Sequence, residues 1–170
     1  MNNPIYNRRS IRSFDLEKEV SYDTLVELCK AASAAPSAKR QIDKEYIIID
    51  DKKIIEEISL LPHGTLNPKD CNSYIAMIGK NPKDLVLPGM QVIDLAMASE
   101  NVMIRATELD LGTCFLGVYP NETKMNDLAK ILNICDNRFV FGLIAVGYPK
   151  DNSLFKEWDK FDIETVKHNR

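Results

Sequence analysis

The sequence predicts a layered protein in which helices pack on a central β-sheet. Three observations lead to that expectation. Four short apolar runs, EYIIID, SYIAMIG, TCFLGV and FVFGLIAVG, have the length and composition of strands. The segments between them repeat their apolar residues every three or four positions, which is the helical period. At 170 residues and 45% hydrophobic content the chain can bury a continuous core. With no repeat, low-complexity tract or flexible linker, it is expected to form one domain over 1–170.

The predicted order is helix, helix, strand, helix, strand, long helix, strand, helix, strand, tail. In residues 21–35 Leu25, Leu28, Cys29, Ala32 and Ala35 share a face, Ser21 is available as N-cap, and Pro36 stops the helix. EYIIID follows as a buried strand, and DDKKIIEEISLL as a helix with Ile54, Ile55 and Ile58 on one side. Residues 63–71 read as a loop, SYIAMIG as the second strand and GKNPKD as its closing turn. Residues 89–111 are apolar around much of a helix circumference, the pattern of a buried central helix. Gly112 then stands where a left-handed C-terminal residue belongs. TCFLGV is the third strand, residues 120–133 a helix with Asn121 as possible cap, and FVFGLIAVG the fourth strand. The tail, 148–170, carries Phe155, Trp158 and Phe161 without a regular pattern. A buried long helix and an apolar tail with no element of its own to pack on point to oligomerisation.

Composition excludes several functions. The net charge of −3 argues against a surface built to grip nucleic acid, so basic chemistry must be local. Cys29, Cys71, Cys114 and Cys135 show neither CxxC nor zinc spacing and read as reduced, mostly buried residues. No signal peptide is recognised, and the longest apolar stretch, the ten residues FVFGLIAVGY, is too short to span a bilayer. A soluble cytoplasmic protein is the expectation. There is no GxGxxG or GxxxxGK[ST], so a nicotinamide nucleotide would have to bind without either turn. His63 and His168 lie far apart without metal-site spacing, no metal is expected, and GxSxG is missing.

Two stretches stand out. RRSIRSF places Arg8, Arg9 and Arg12, three of the chain's seven arginines, beside Ser10 and Ser13. In an extended segment Arg8, Ser10 and Arg12 would face one way, and guanidinium and hydroxyl donors suit a phosphate. Alone, the cluster reads equally well as a solvated basic terminus. AASAAPSAKRQ, residues 31–41, is dense in small side chains that let a ligand approach the backbone, although alone it also reads as a plain helix end.

Together with DLAMASENVMIRATELDLGTCFLG and FGLIAVGYP, in this order and spacing, these stretches resemble the nitroreductase family of flavin enzymes over nearly the whole chain. The resemblance implies an α+β fold, with a mixed, largely antiparallel sheet flanked by helices in a domain-swapped type of homodimer. It implies FMN at the dimer interface and ping-pong hydride transfer from NADH or NADPH to nitroaromatics, quinones or similar small-molecule acceptors, with no catalytic side chain required. By that resemblance Arg8, Arg9, Ser10 and Arg12 hold the phosphate, the ribityl chain and the pyrimidine edge. Pro36, Ser37 and Ala38 come from the other subunit to lie beside the ring, with Arg40 and Gln41 close by. Leu116 and Gly117 bring backbone near the reactive nitrogen, and Lys160 stands near a C-terminal phosphate contact. A cation near the flavin eases hydride acceptance.

The chain also departs from the family pattern. Arg40 replaces the usual asparagine, and Gln41-Ile42-Asp43 replaces a Gln-Pro-aromatic run. There is no room for a long insertion between the second strand and the central helix, so a reduced lid and an open pocket are expected. The alternative reading is a dimer that stores or delivers FMN with little turnover. A nucleic-acid or phosphoprotein module built on the arginines is disfavoured by the acidic balance.

Overall fold

Side chains alternate across a strand, so a strand that is apolar at every position must be covered on both faces. SYIAMIG is buried from end to end. In the computed structural model, which describes residues 3–42, 44–62, 70–135, 137–157 and 161–169, the covering is done by two helical layers. The strands are β1 (Lys44–Ile49), β2 (Ser73–Gly79), β3 (Gly112–Gly117) and β4 (Phe139–Gly147). They form one sheet in the order β1-β2-β4-β3, with every strand pair antiparallel. The helices are α1 (Pro4–Asn7), α2 (Tyr22–Ser33), α3 (Lys52–Ser59), α4 (Gln91–Glu108) and α5 (Glu122–Ile131). The expected α+β architecture is present, and among the described residues its parallel component is one bridge, Ser10 to Thr113, outside the four strands.

On one face Tyr74, Ala76 and Ile78 of β2 pack with Ile55 and Ile58 of α3 and Leu128 of α5. On the other, Ile75 and Met77 pack with Leu25 and Leu28 of α2 and with Leu95, Ala98 and Val102 of α4. β4 alternates between the two layers from Leu143 to Val146, and a bulge resets the alternation before them. Met77 pairs with Gly142 but Ile78 with Val140, so Phe141 is the extra residue. That residue reverses the alternation, letting Val140 and Leu143 face the first layer and Phe141 and Ile144 the second.

The expected caps are in place. Ser21 Oγ accepts from Thr24 N at 3.2 Å, and Asn121 Oδ1 from Lys124 N at 3.0 Å. GKNPKD closes in a 3₁₀ turn at Pro82–Asp84, and only a second such turn, Pro88–Met90, precedes α4, so no α-helix covers that side. Most of the 63–71 loop, with His63, lies outside the described residues, as do Asp43, Trp158 and Lys160.

Four expectations need correction. Gly112 is not a left-handed cap. The left-handed residue is Asp110, at φ 57°, and Gly112 opens β3 with no positive φ. Its missing side chain instead admits Ile11, whose atoms would lie 2.8 Å from a Cβ there. Second, α4 is buried along one stripe, Gln91, Asp94, Leu95, Ala98, Val102 and Ala106, whereas Ile93 is 49% exposed. Third, of the cysteines only Cys71 and Cys114 are buried; Cys29 is half-buried and Cys135 exposed. Fourth, the tail has short 3₁₀ turns at Asn152–Leu154 and Ile163–Thr165, and every residue from 161 to 169 is exposed.

Candidate functional site

The arginine stretch is not a loose terminus, because an apolar residue anchors each turn of its path. Ile11 is buried, its N–H donates to Thr113 O at 2.8 Å, and Ser10 bridges to Thr113 on the edge of β3. Phe14 is also buried, and the backbone beyond it is tied to the chain after β4, Asp15 N to Tyr148 O at 2.8 Å and Lys150 N to Ser13 O at 3.1 Å. With Ile11 and Phe14 turned inward, Ser10 and Arg12 face out. Arg8 is fixed from the side by Glu100 of α4, 2.9 Å from its Nε. The Arg9 guanidinium donates to Arg8 O, and Arg12 Nη1 to Ser10 O at 3.1 Å.

These residues converge as expected. Arg8, Arg9, Ser10 and Arg12 line one cavity of about 700 Å³ with Ile5, Tyr6, Ile11, Leu154 and Lys156. Among its described lining residues four are cations and none is acidic, so a ligand there would be an anion. Lys160 lies outside the described residues, and Lys156 is a lining residue that the sequence reading does not pick out. Its signal is the Asp-Asn-Ser turn before it: Asp151 Oδ1 accepts from Ser153 N at 2.8 Å and sets the direction in which Leu154 and Lys156 leave.

The second stretch builds a different cavity, of about 510 Å³, lined by Ser33, Ala35, Pro36, Ser37, Arg40, Gln41, Ile42, Lys44 and Tyr46. Its loop is strained. Lys39 and Arg40 both adopt positive φ, 53° and 56°, a conformation that costs a residue with a Cβ roughly 1–2 kcal/mol. A buried carboxylate offsets that cost. Asp94, 1% exposed on α4, accepts Ala38 N with both oxygens at 3.1 Å and Gln41 Nε2 at 3.0 Å. Gln41 in turn accepts Leu87 N at 3.0 Å and donates to Leu87 O at 3.2 Å, and Ser37 Oγ donates to Gln41 O at 2.9 Å. Ala38 therefore serves through its backbone, and Gln41 is a structural clamp as well as a lining residue. Asp94 was missed, yet it was readable as a lone carboxylate in the Gln91, Leu95, Ala98 stripe of an otherwise apolar helix.

Leu116 and Gly117 end β3 and line neither cavity. Gly117 is exposed, and a Cβ built on it would meet only Phe115, at 3.9 Å, so its backbone is open to a ligand. Among the described residues no group of three His, Cys, Asp or Glu is placed to hold a metal, and no helix is long and apolar enough to cross a membrane.

Comparison with known proteins bears on the family and the fold. The family described as "Putative TM nitroreductase" matches residues 1–170. An Archaeoglobus fulgidus protein named "Putative NADH dehydrogenase/NAD(P)H nitroreductase" is 34% identical over 157 residues, 91% of this chain and 88% of that protein. A Bacillus subtilis protein named "FMN reductase (NADPH)" is 29% identical, over 90% of this chain and 68% of its own. The crystal structure of a "Putative NADH Oxidase" from Clostridium acetobutylicum superposes with a TM-score of 0.90 at 32% identity, covering 98% of this chain and 99% of that one.

Proposed function

The chain belongs to the nitroreductase family, and from that premise we propose that it is an FMN-dependent NAD(P)H oxidoreductase, a cytoplasmic one-domain homodimer reducing small nitroaromatic, quinone or similar acceptors. The observation that carries this reading is the cationic cavity built by Arg8, Arg9, Ser10, Arg12 and Lys156. The fit to FMN can be judged from the donor set. A phosphomonoester presents several acceptor oxygens, and planar guanidinium groups with a hydroxyl and an ammonium match them without needing a proton. Ile5, Tyr6 and Leu154 add apolar surface to the same cavity. The residues present fit the group.

In the proposed site this chain's residues bind and orient. Arg12 and Ser10, facing out from the pinned segment, take the phosphate with Lys156. Arg9 and Arg8, half-buried behind them, keep the potential positive toward the ring, and Glu100 holds Arg8 in place. Leu116 and Gly117 offer strand-end backbone, which Gly117, having no side chain, leaves open. Pro36 and Ser37, which line the separate second cavity, and Ala38 next to them reach the site from the other subunit of a dimer. The exposed Phe161, Ile163 and Val166 supply apolar surface for such a partner. FMN, when bound, supplies the redox chemistry, taking hydride from the nicotinamide and passing it to the acceptor.

The test is a purified holoprotein and one variant. Arg12→Ala is expected to weaken FMN retention tenfold to a hundredfold, about 1.5–3 kcal/mol for a charge-assisted pair. Unchanged affinity, read by flavin fluorescence on titration, would remove the phosphate assignment. A colourless protein whose melting temperature ignores FMN would sink the whole reading. A yellow one that NADH and NADPH fail to bleach without oxygen would replace catalysis with flavin storage.

A further inference from the structure

The second cavity adds two cations to the loop that the flavin reading places beside the ring. A loop of small residues needs no cation, yet this one holds Arg40 in a left-handed conformation and closes it with a buried carboxylate. Arg40 and Lys44 line the cavity together, and no described residue lining it is acidic. Two hydroxyls share the lining with them: Ser33 Oγ donates to Tyr46 Oη at 3.3 Å, and both residues line the space. The buried Asp94 charge is spent on Ala38 N and Gln41 Nε2, inside the loop. The loop is therefore pinned where it meets α4, while Arg40 is exposed and lines the cavity. At 510 Å³ the cavity has the size of a small-molecule site.

We propose that this cavity is an oxyanion subsite in which Arg40, with Lys44, holds the carboxylate or phosphate group of a substrate, selecting anionic over neutral substrates. Planar guanidinium donors pair with such groups in bidentate fashion, and an ammonium nearby adds charge without directional demand. Asp94 is a positioning residue here. The substrate role rests on the oxidoreductase reading, whereas the anion site does not.

Redox-inert probes test the subsite by binding alone. Calorimetric titrations of FMN-loaded protein compare nicotinate with nicotinamide, for an acceptor carboxylate, and adenosine 2′-monophosphate with adenosine, for a nucleotide phosphate. At least one charged probe is expected to bind about tenfold tighter than its neutral partner, and the pair that discriminates identifies the source of the group. Arg40→Asn removes the charge but keeps a residue that tolerates positive φ, and it is expected to abolish the discrimination, while Arg40→Lys restores part of it. Should Arg40→Asn fail to fold, Lys44→Gln is judged by the same criterion. Less than threefold discrimination in both pairs, or discrimination that survives neutralisation, overturns the proposal. A protein that never binds FMN yet still discriminates defeats the oxidoreductase reading and leaves the anion site standing.

Discussion

The two basic stretches reach their shapes by opposite means. Residues 10–15 contain no left-handed residue and are held by many small contributions: two buried side chains, a bridge to the edge of β3 and bonds to the chain after β4. Residues 37–41 contain two left-handed residues and are held chiefly through one side chain, Asp94, and the Gln41 amide it engages. Spreading an anchor over a sheet edge makes a segment robust to the loss of any single polar group. Concentrating it in one buried charge makes a loop exact in shape but dependent on that charge. The robust segment carries the cations of the larger cavity, and the dependent one shapes the smaller.

This difference can be tested by breaking each anchor. Ile11→Ala empties the pocket beside Gly112 and is expected to cost about 2–5 kcal/mol of global stability in urea. A cost under 1 kcal/mol would mean that the arginine segment is anchored elsewhere. Asp94→Ala leaves the Ala38 amide and the Gln41 side chain without their acceptor, about 1–3 kcal/mol for each buried donor. Its signature is local: amide exchange is expected to accelerate at residues 38–41 and stay unchanged at residues 10–15, and equal acceleration in both would erase the contrast.

A smaller effect tests the scaffold beneath the first segment. Burial pushes the Cys71 thiol up from 9.0 to about 11, against hydrogen bonds to Ser73 and Val146 that pull it back. Below pH 9 the thiol is protonated whether the chain is folded or unfolded. Between pH 9 and 11 only the unfolded chain ionises, so stability falls as pH rises, by about 1.4 kcal/mol per unit from this group. Cys71→Ala is expected to show a shallower alkaline decline in urea midpoint than the parent, and an identical slope would contradict the burial.

What could be read in the sequence follows the range of the forces involved. Every strand and all helices from α2 onward lie where periodicity puts them, and Ser21 and Asn121 cap as expected, because these features depend on neighbours within a turn. Arg8, Ser10 and Arg12 gather as the alternation of an extended chain predicts, and Arg9 joins them against it. The order β1-β2-β4-β3 and the Phe141 bulge depend on pairings between distant residues and leave no local trace. Gly112 was misread for the same reason, since the atom that needs its missing side chain belongs to Ile11, far away in sequence. Asp94 and Lys156 were within reach, one through its place on an apolar stripe and the other through the turn that aims it.

The seat of residues 10–15 has a consequence for synthesis. Ser10 and Phe14 are made well before their bridging partners, Thr113 and Pro149. Residues 10–15 must therefore wait, exposed, until β3 and β4 have been made and paired. The cationic cavity, which needs both that segment and Lys156, cannot close before then.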